Sequence, residues 1–252
     1  MVKSIGIYGF IASYFLLLAV LTISYKERLK LEKDILISFA RMSLQLFAAG
    51  FVLIYLFKLD NIIVNVVVFT VMVGFASNIS ISRAKLKGKG IGLFVFLSIF
   101  VSALVVLVFV FVGIIRMNYP HARYFIPLAG MIIGNSMNST AIAAERFFSK
   151  IKDNKPAIED LLCIGANWDE ALAFVRRDSL KAALLPSLTS ASGMGIVFLP
   201  GMMTGQILSG VNPKEAVFYQ IMIVIAIASV VSLSNYIMVK MVSKKLNLFD
   251  SF

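Results

Sequence analysis

Seven long apolar stretches alternate with short polar loops along the 252-residue chain. A helix needs about 20 apolar residues to cross a bilayer, and the stretches match that length. They are Ile5–Tyr25, Ile35–Phe57, Ile62–Ser82, Ile91–Ile115, Phe125–Ala144, Ala183–Pro200 and Ala216–Val239. The pattern predicts an all-α integral membrane protein with about seven transmembrane helices, built as a single transmembrane domain over residues 1–252.

The sixth stretch has the weakest apolar pattern of the seven. It is interrupted by Pro186, Gly193, Gly195 and Pro200. Proline removes a helix hydrogen bond, so we expect kinks in this span. The pattern leaves open whether the segment that follows, Gly201–Gly210, re-enters the membrane.

The basic residues lie mainly in alternate loops. Of the 24 Lys and Arg residues, eighteen fall within Lys26–Asp34, Arg83–Gly90, Glu145–Ala182 and the tail from Lys240. Five lie in the other loops, and Arg41 is inside the second span. Basic loops favour the cytoplasm. We therefore predict a multi-pass protein of the cell membrane with its N-terminus outside and its C-terminus cytoplasmic, and we expect no nucleic-acid partner despite the net charge of +11.

The residue inventory argues against an enzyme. The sequence has no GxxxxGK[ST] phosphate-binding loop, and its one histidine, His121, lies far along the chain from its one cysteine, Cys163. No catalytic residue and no cofactor of this chain is predicted, and the ligands of any metal stay unknown. None of the 13 acidic residues lies in the middle of a span. Ion-coupled transporters commonly place a carboxylate there, so we expect the energy for transport to come from another chain.

Arg41 is the only charged residue deep within a predicted span. It shares one helix face with Ser38, Gln45, Ala48 and Val52, which recur at intervals of three and four. A charge in a membrane is expected to face protein, water or a ligand rather than lipid. Two interpretations stay open for Arg41 and Gln45: a lining of the transport path or a polar clamp between helices.

The fifth and sixth spans carry a second group of polar residues. A GxxxG motif at Gly130 and Gly134, which permits close helix packing, is followed by Asn135, Ser136, Asn138, Ser139 and Thr140. Such a density of amides and hydroxyls favours a substrate-facing surface over packing alone. Met203 and Gln206 follow the sixth span and are further candidates. Methionine sulfur suits soft metals, although packing is its commoner role.

A polar segment, Glu145–Leu185, separates the fifth and sixth spans. Within it, Glu159 is predicted to open a short helix with an apolar stripe, and Gly165 to end it. Asn167 and Glu170 resemble a capping box that starts a second helix at Trp168. This cytoplasmic helix–turn–helix fits a groove on a partner protein. Packing against the bundle or the lipid headgroups is the alternative.

Several of these segments resemble the FetB/YbbM family of ABC-transporter permeases. The resemblance rests on ARMSLQLFAAG (Ala40–Gly50), GMIIGNSMNSTAIA (Gly130–Ala143), IEDLLCIGAN (Ile158–Asn167) and LPGMMTGQILSGVNPKEAVFYQI (Leu199–Ile221). It implies a homodimer of permeases with a separate P-loop ATPase subunit, on which ATP and Mg would bind. Bacterial members are associated with iron export and plant relatives with aluminium tolerance.

The combined prediction is the permease subunit of an ABC exporter, with metal, specifically iron, as the expected substrate. Candidate residues of the transport path are Arg41, Gln45, Asn135, Asn138, Thr140, Met203 and Gln206. Candidate residues of the ATPase contact are Glu159, Leu162, Gly165 and Ala166. Two alternatives stay open: a membrane scaffold or regulator that binds a cytosolic partner, and an ATP-independent transporter or channel. A free metal, a chelate and an organic solute all stay open as substrates.

Overall fold

The protein is helical throughout the part described by the computed structural model, residues 6–84 and 90–246. Helices account for 85% of the structure, and no strand forms among these residues, which confirms the all-α prediction. The helices are α1 (Ile7–Lys26), α2 (Glu32–Leu59), α3 (Ile62–Arg83), α4 (Ile91–Val108), α5 (Ala122–Asp153), α6 (Lys155–Cys163), α7 (Trp168–Ala171), α8 (Ala173–Gly193), α9 (Gly201–Leu208) and α10 (Pro213–Leu246). A π-helical turn, Phe109–Ile114, continues α4.

Five helical segments of the described chain are long and apolar enough to cross a membrane. They are Tyr8–Lys26, Glu32–Leu59, Ile62–Arg83, Ile91–Ile114 and Pro213–Lys244. These segments coincide with the first four predicted spans and the seventh. The fifth and sixth predicted spans fall on α5 and α8, whose polar residues lower their apolar character. Five helices with the length and apolar character of membrane spans thus agree with the prediction, while the number seven stays a prediction.

The sixth predicted span, Ala183–Pro200, is not one continuous helix. Helix α8 begins ten residues earlier, at Ala173, and ends at Gly193. The chain then turns back on itself, with Gly195 in a left-handed conformation at φ 82° and its N–H donating to the carbonyl of Phe198. Glycine adopts this conformation without the steric cost of a side chain. The glycine that weakened the apolar pattern therefore makes a turn between two helices rather than a kink within one.

The chain divides into two compact units. The first comprises Met1–Leu59 with Leu208–Gly210 and contains α1 and α2. The Tyr14 hydroxyl is hydrogen-bonded to that of Ser43, and the Phe10 and Phe47 rings meet edge to face at 5.8 Å. These contacts join the two helices into a hairpin, yet no residue of α2 is buried.

The second unit, Asp60–Ile207 with Val211–Phe252, contains the main core. Helices α3, α4, α5, α8 and α10 pack together around it. The largest side chains buried there include Phe69, Ile99, Ile132, Phe147 and Met238. Inside a membrane, helices associate through packing and hydrogen bonds rather than by escaping water, and small residues let them approach closely. Ala129, Ala143 and Ala144, all buried on α5, serve this purpose.

Gly130 shows how closely α5 approaches α3. A Cβ atom added there would lie 3.3 Å from the Cε atom of Met72. The second glycine of the GxxxG motif, Gly134, has no such neighbour within 4 Å. The close approach predicted from the motif thus rests on one of its two glycines.

Candidate functional site

A cleft of about 230 Å³ opens between α5, α8 and α10, within the second unit. Its lining residues are Asn135, Asn138, Ser139, Ile142, Ala183, Pro186, Ser187, Ser190, Met194, Val224 and Ile227. At 1.5 Å per residue, α5 is about 48 Å long and its cleft residues begin about 20 Å from its start. The cleft therefore lies near the middle of the longest helices.

Regular spacing along three helices builds this cleft. Residues three or four apart share one helix face. On α5 the lining residues are Asn135, Asn138, Ser139 and Ile142, and on α8 they are Ala183, Pro186, Ser187 and Ser190, followed by Met194 just past the end of α8. Each set forms one stripe, and Val224 and Ile227 close the cleft from α10. The predicted path residues Asn135 and Asn138 are therefore side by side on its wall.

Two of the lining side chains are held in place by internal hydrogen bonds. The Asn135 side-chain NH₂ donates to the carbonyl of Met131, one turn earlier, at 2.8 Å. The Ser139 hydroxyl donates to the carbonyl of Ala183 on α8 at 3.1 Å. Ser139 has only one proton to give, so its remaining capacity is as an acceptor.

Three further polar side chains line the cleft and are not held by internal hydrogen bonds. Asn138, Ser187 and Ser190 make no side-chain hydrogen bond to any residue that the structure describes. The lining includes no Asp, Glu, Lys, Arg or His. The cleft is therefore uncharged and largely apolar, with a few amides and hydroxyls that could hydrogen-bond with a bound solute.

Asn235, a buried residue of α10 that the sequence analysis did not select, is hydrogen-bonded to Ser139 of the cleft wall. The Asn235 NH₂ group donates to the Ser139 hydroxyl oxygen at 2.5 Å, and Asn235 is fully buried. Next to it, Ser234 accepts a hydrogen bond from Ser136 at 2.8 Å. Adjacent Ser and Asn inside an otherwise apolar span were the sequence signal that could have identified this pair.

The remaining path candidates of the second unit lie away from this cleft. Thr140 follows Ser139 on α5 but is fully buried, and its hydroxyl has no hydrogen-bond partner among the described residues. Met203 is on α9 and is half-buried, as is Gln206. None of the three lines the cleft. Their assignment to a transport path stays a prediction.

Arg41 and Gln45 belong to the first unit, on α2. The α2 residues that face α1 include Phe39, Met42 and Ser43. At 100° per residue, the face of Arg41 and Gln45 lies on roughly the opposite side of the helix. Both side chains are exposed within their unit, so α1 does not cover the guanidinium.

The helix at Glu159 ends as predicted but begins earlier than predicted. Helix α6 starts at Lys155, and Glu159 lies in its second turn rather than its first. Pro156, whose fixed φ suits the first turn of a helix, was the signal for the true start. At the other end, Gly165 has φ 94°, its N–H donates to Leu162, and the Ala166 N–H donates to Leu161. These two bonds form a Schellman motif.

The capping box that starts the next helix is also present. The Asn167 side chain accepts from the backbone N–H of Glu170 at 3.0 Å, and the Glu170 carboxylate accepts from the Asn167 N–H at 2.9 Å. Helix α7 is a single turn, and Leu172 separates it from α8. The Schellman motif at Gly165 and the capping box of Asn167 and Glu170 thus fix the short loop between α6 and α7.

The apolar stripe of α6, formed by Ile158, Leu161 and Leu162, packs against the helix bundle. Ile158 is buried in the core, and Leu161 and Leu162 are half-buried against it. The surface left open at this tip is different: Glu159 and Gly165 are exposed, and Ile164 is 81% exposed. Ala166 is half-buried. A partner at this tip would therefore meet Ile164 and Glu159 rather than the stripe.

At the opposite end of α5, a loop residue holds the start of the helix. Asp60, between α2 and α3, accepts a hydrogen bond from the Ala122 backbone N–H through Oδ1 at 2.7 Å. The Tyr119 hydroxyl donates to the Asp60 carbonyl at 2.5 Å, and the Asn65 side chain donates to the Pro120 carbonyl at 2.9 Å. The first N–H groups of a helix lack partners within the helix, and Asp60 supplies one from a distant part of the sequence.

The structure thus defines an all-helical membrane protein with several apolar helices and an uncharged cleft inside its bundle. Comparison with protein families gives a match over residues 7–247, and the chain belongs to the uncharacterised protein family UPF0014. No solved structure matches the chain.

Named relatives come from bacteria and from plants. The chain is 35% identical to the "Probable iron export permease protein FetB" of Escherichia coli (strain K12), over 88% of this chain and 85% of the relative. It is 34% identical to the "UPF0014 membrane protein slr1647" of Synechocystis, over 83% and 81% of the two chains. It is 31% identical to the "Protein ALUMINUM SENSITIVE 3" of Arabidopsis thaliana, over 82% and 74%.

Proposed function

We propose that this chain is the membrane-spanning permease subunit of an ABC exporter that moves metal, with iron as the substrate. A separate P-loop ATPase subunit binds ATP and Mg and supplies the energy, and two permease chains form the working unit. The observation that carries the proposal is an uncharged cleft, with Asn135 and Asn138 on its wall, in the middle of a bundle whose sequence is 35% identical to a protein named as an iron export permease.

The proposed topology has seven spans in the cell membrane, with α5 and α8 as the fifth and sixth. An N-terminus outside and a C-terminus inside place α6 and α7 in the cytoplasm. The exposed tip, formed by Glu159, Ile164 and Gly165, then contacts the ATPase, and Leu162 and Ala166 support it from below. Two capping motifs make this tip rigid enough to pass a movement on to the bundle.

The transport path in this proposal begins with the cleft. Asn135 and Asn138 contact the substrate there, and Arg41, Gln45, Thr140, Met203 and Gln206 are assigned to the remainder of the path. Neutral oxygens bind metal ions more weakly than carboxylates do, which suits a site that must release its cargo at every cycle.

The first test is purification of the tagged chain from its own membranes in mild detergent, with identification of any cytosolic protein that accompanies it. The recovered complex is placed in liposomes that contain a fluorescent iron chelator, with Fe²⁺ and ATP outside. Permeases inserted with their cytoplasmic face outward should load the liposomes with iron. The matched control replaces ATP with ADP.

Three results would contradict the proposal in different ways. Iron flux from the chain alone, without ATP, identifies a channel or an ATP-independent transporter. A stable cytosolic partner without flux of any metal identifies a scaffold. If a P-loop ATPase is recovered that stimulates flux of an organic solute but not of iron, the chain is an ABC permease and its substrate is not iron.

A further inference from the structure

A small pocket with two cationic side chains lies where the start of α8 meets the end of α10. We call it the basic pocket; its volume is about 90 Å³, and it is lined by Asp169, Arg176, Leu180, Tyr236, Val239 and Lys240. Sites that enclose a whole small molecule usually measure about 300–1,000 Å³. The basic pocket therefore has room for one charged group of a larger molecule rather than for an entire solute.

The basic pocket lies at the level where α10 would leave the hydrocarbon of a membrane. The apolar segment of α10 that is long enough to cross runs from Pro213 to Lys244. Within it, Lys214 and Lys240 are 26 residues apart, which corresponds to about 39 Å along the helix axis. A bilayer with its headgroups is about 40–45 Å thick. The spacing thus matches one lysine in each headgroup layer, and Lys240 is the one at the pocket.

The Arg176 guanidinium is held in position at the basic pocket. Its Nη1 donates to the backbone carbonyl of Asp169 at 2.8 Å and to the Oδ1 of the Asp169 carboxylate at 3.0 Å. The Nε and Nη2 nitrogens donate to no residue that the structure describes. Arginine has five N–H donors in a fixed, planar arrangement. Three of them therefore stay available for an anion, while Asp169 fixes the orientation of the group.

Lys240 supplies the cation that no carboxylate offsets. Its Nζ donates to the Tyr236 hydroxyl, one turn earlier, at 3.3 Å and lies 5.5 Å from the centre of the Tyr236 ring. No carboxylate of the described residues forms an ion pair with it. An ammonium group has three donors, so two stay available for a ligand. Because Asp169 offsets Arg176, the lining has a net charge of +1.

The remaining lining residues match the hydrocarbon side of a membrane surface. Leu180 and Val239 are apolar, and the Tyr236 side chain is 52% exposed. Tyrosine is enriched where hydrocarbon meets the headgroups, because its ring is apolar and its hydroxyl is polar. A net positive charge beside apolar surface is the complement of a phosphate that is attached to acyl chains.

We propose that the basic pocket binds the phosphate of an anionic phospholipid. Arg176 and Lys240 donate hydrogen bonds to the phosphate oxygens, and an acyl chain of the lipid lies beside the Tyr236 ring. Basic pockets between membrane helices bind lipid headgroups in this way. A lipid is favoured over free phosphate because the pocket lies at the level of the headgroups, where lipid phosphates are concentrated. The inference goes beyond the proposed function and does not depend on the ATPase or on the exported substrate.

The single tryptophan of the chain provides a local readout of the bound lipid. Trp168 directly precedes Asp169 of the basic pocket. The purified full chain is placed in bilayers to which phosphatidylglycerol or phosphatidylcholine is added, each with a nitroxide at the top of one acyl chain. A nitroxide quenches tryptophan fluorescence only at short range. Phosphatidylglycerol should quench at a mole fraction at least about fivefold lower than phosphatidylcholine, as expected for one basic residue at a membrane surface.

A matched pair of variants ties this preference to the basic pocket. Lys240→Gln should reduce the preference for phosphatidylglycerol by about fivefold, whereas Lys240→Arg retains the charge and should retain the preference. Lys181→Gln makes the same chemical change at an exposed position of α8 that does not line the pocket, and it should leave the preference unchanged. Circular dichroism establishes that the variants fold.

Each other outcome overturns the inference. Equal quenching by the two lipids shows that the pocket does not select a charged headgroup. An equal loss in Lys181→Gln and Lys240→Gln shows that the general surface charge of the chain attracts the lipid. If millimolar inorganic phosphate abolishes the preference at constant ionic strength, the pocket binds a soluble anion instead of a lipid. The assay contains neither metal nor ATPase, so failure here is distinguishable from failure of the proposed ABC permease.

Discussion

The Asp60 carboxylate reaches the imidazole of His121 across 61 positions of sequence. Its Oδ2 lies 2.6 Å from the His121 Nδ1, while its Oδ1 accepts from the N–H of the next residue, Ala122. These bonds favour the charged carboxylate, and the backbone bond from Ala122 is the largest of the causes that lower the pKa of Asp60 below its usual 3.8. The start of α5 is thus held by an ionised side chain from a distant loop.

Asp60 should make stability depend on pH in the acid range. Its pKa is lower in the folded protein, so the stabilisation is fully present above the usual value of 3.8 and is lost as pH falls through the lower, folded value. We expect the thermal midpoint of the purified chain to fall, as the pH is lowered below 3.8, by more than that of Asp60→Asn. Parallel pH profiles of the two proteins would contradict this role.

Gly165 should be essential because of its left-handed backbone conformation, and not because a side chain there would lack space. Its φ of 94° is strained for any residue with a side chain, although a Cβ atom there would meet nothing within 4 Å. Gly165→Val should strain the turn by about 1–2 kcal/mol and lower ATPase-coupled transport by about tenfold. Gly165→Asn is the control, since Asn tolerates this conformation. Equal transport by the two variants would show that the turn is not involved in coupling.

Asn235 and Ser139 should act as a coupled pair. A neutral hydrogen bond contributes about 1 kcal/mol, so each alanine variant should lower thermal stability, and the double variant should cost less than the sum of the two. A double-mutant cycle with Asn235→Ala and Ser139→Ala is expected to give a coupling energy of about 0.5–1.5 kcal/mol. A coupling energy near zero would mean that Asn235 does not hold Ser139 in place.

Arg41 should be required for transport and dispensable for insertion. Its face of α2 is turned away from α1, and a charge at this depth is costly unless it serves a path or a partner. We expect Arg41→Gln to reduce transport by about tenfold or more, equivalent to at least about 1.4 kcal/mol, at unchanged membrane abundance. Arg41→Lys retains the charge and should retain more transport. A scaffold would tolerate both changes, provided that they fold.

The sequence predicted the features that depend on local pattern. The helical class, five segments long and apolar enough to cross a membrane, the end of the helix at Gly165 and the Asn167–Glu170 capping box all follow from composition or from short motifs, because each is determined by residues that are close together in the chain. Asn135 and Asn138 were selected only for the density of polar residues around them, and the structure places both on the cleft wall.

What the sequence did not predict depends on packing between distant segments. Asn235 gains its significance from Ser139, 96 residues away, and no periodicity within one span reveals such a pair. The stripe of α6 was visible in sequence, but whether Ile158 meets a partner or its own bundle depends on where α5 directs the chain. The sequence predicted one helix from Trp168 through Lys181, and it did not predict the break at Leu172 that divides this helix into α7 and α8.

The continuity of α5 has a mechanical consequence. This helix runs as one rod of about 48 Å from the Asp60 clasp, past the cleft, to Asn154, which ends α5 and also begins α6. Because α5 is hydrogen-bonded at its middle to α8 through Ser139 and to α10 through Ser136, a displacement of α6 by a bound partner would be shared with both helices, and the amides on the cleft wall would move with them.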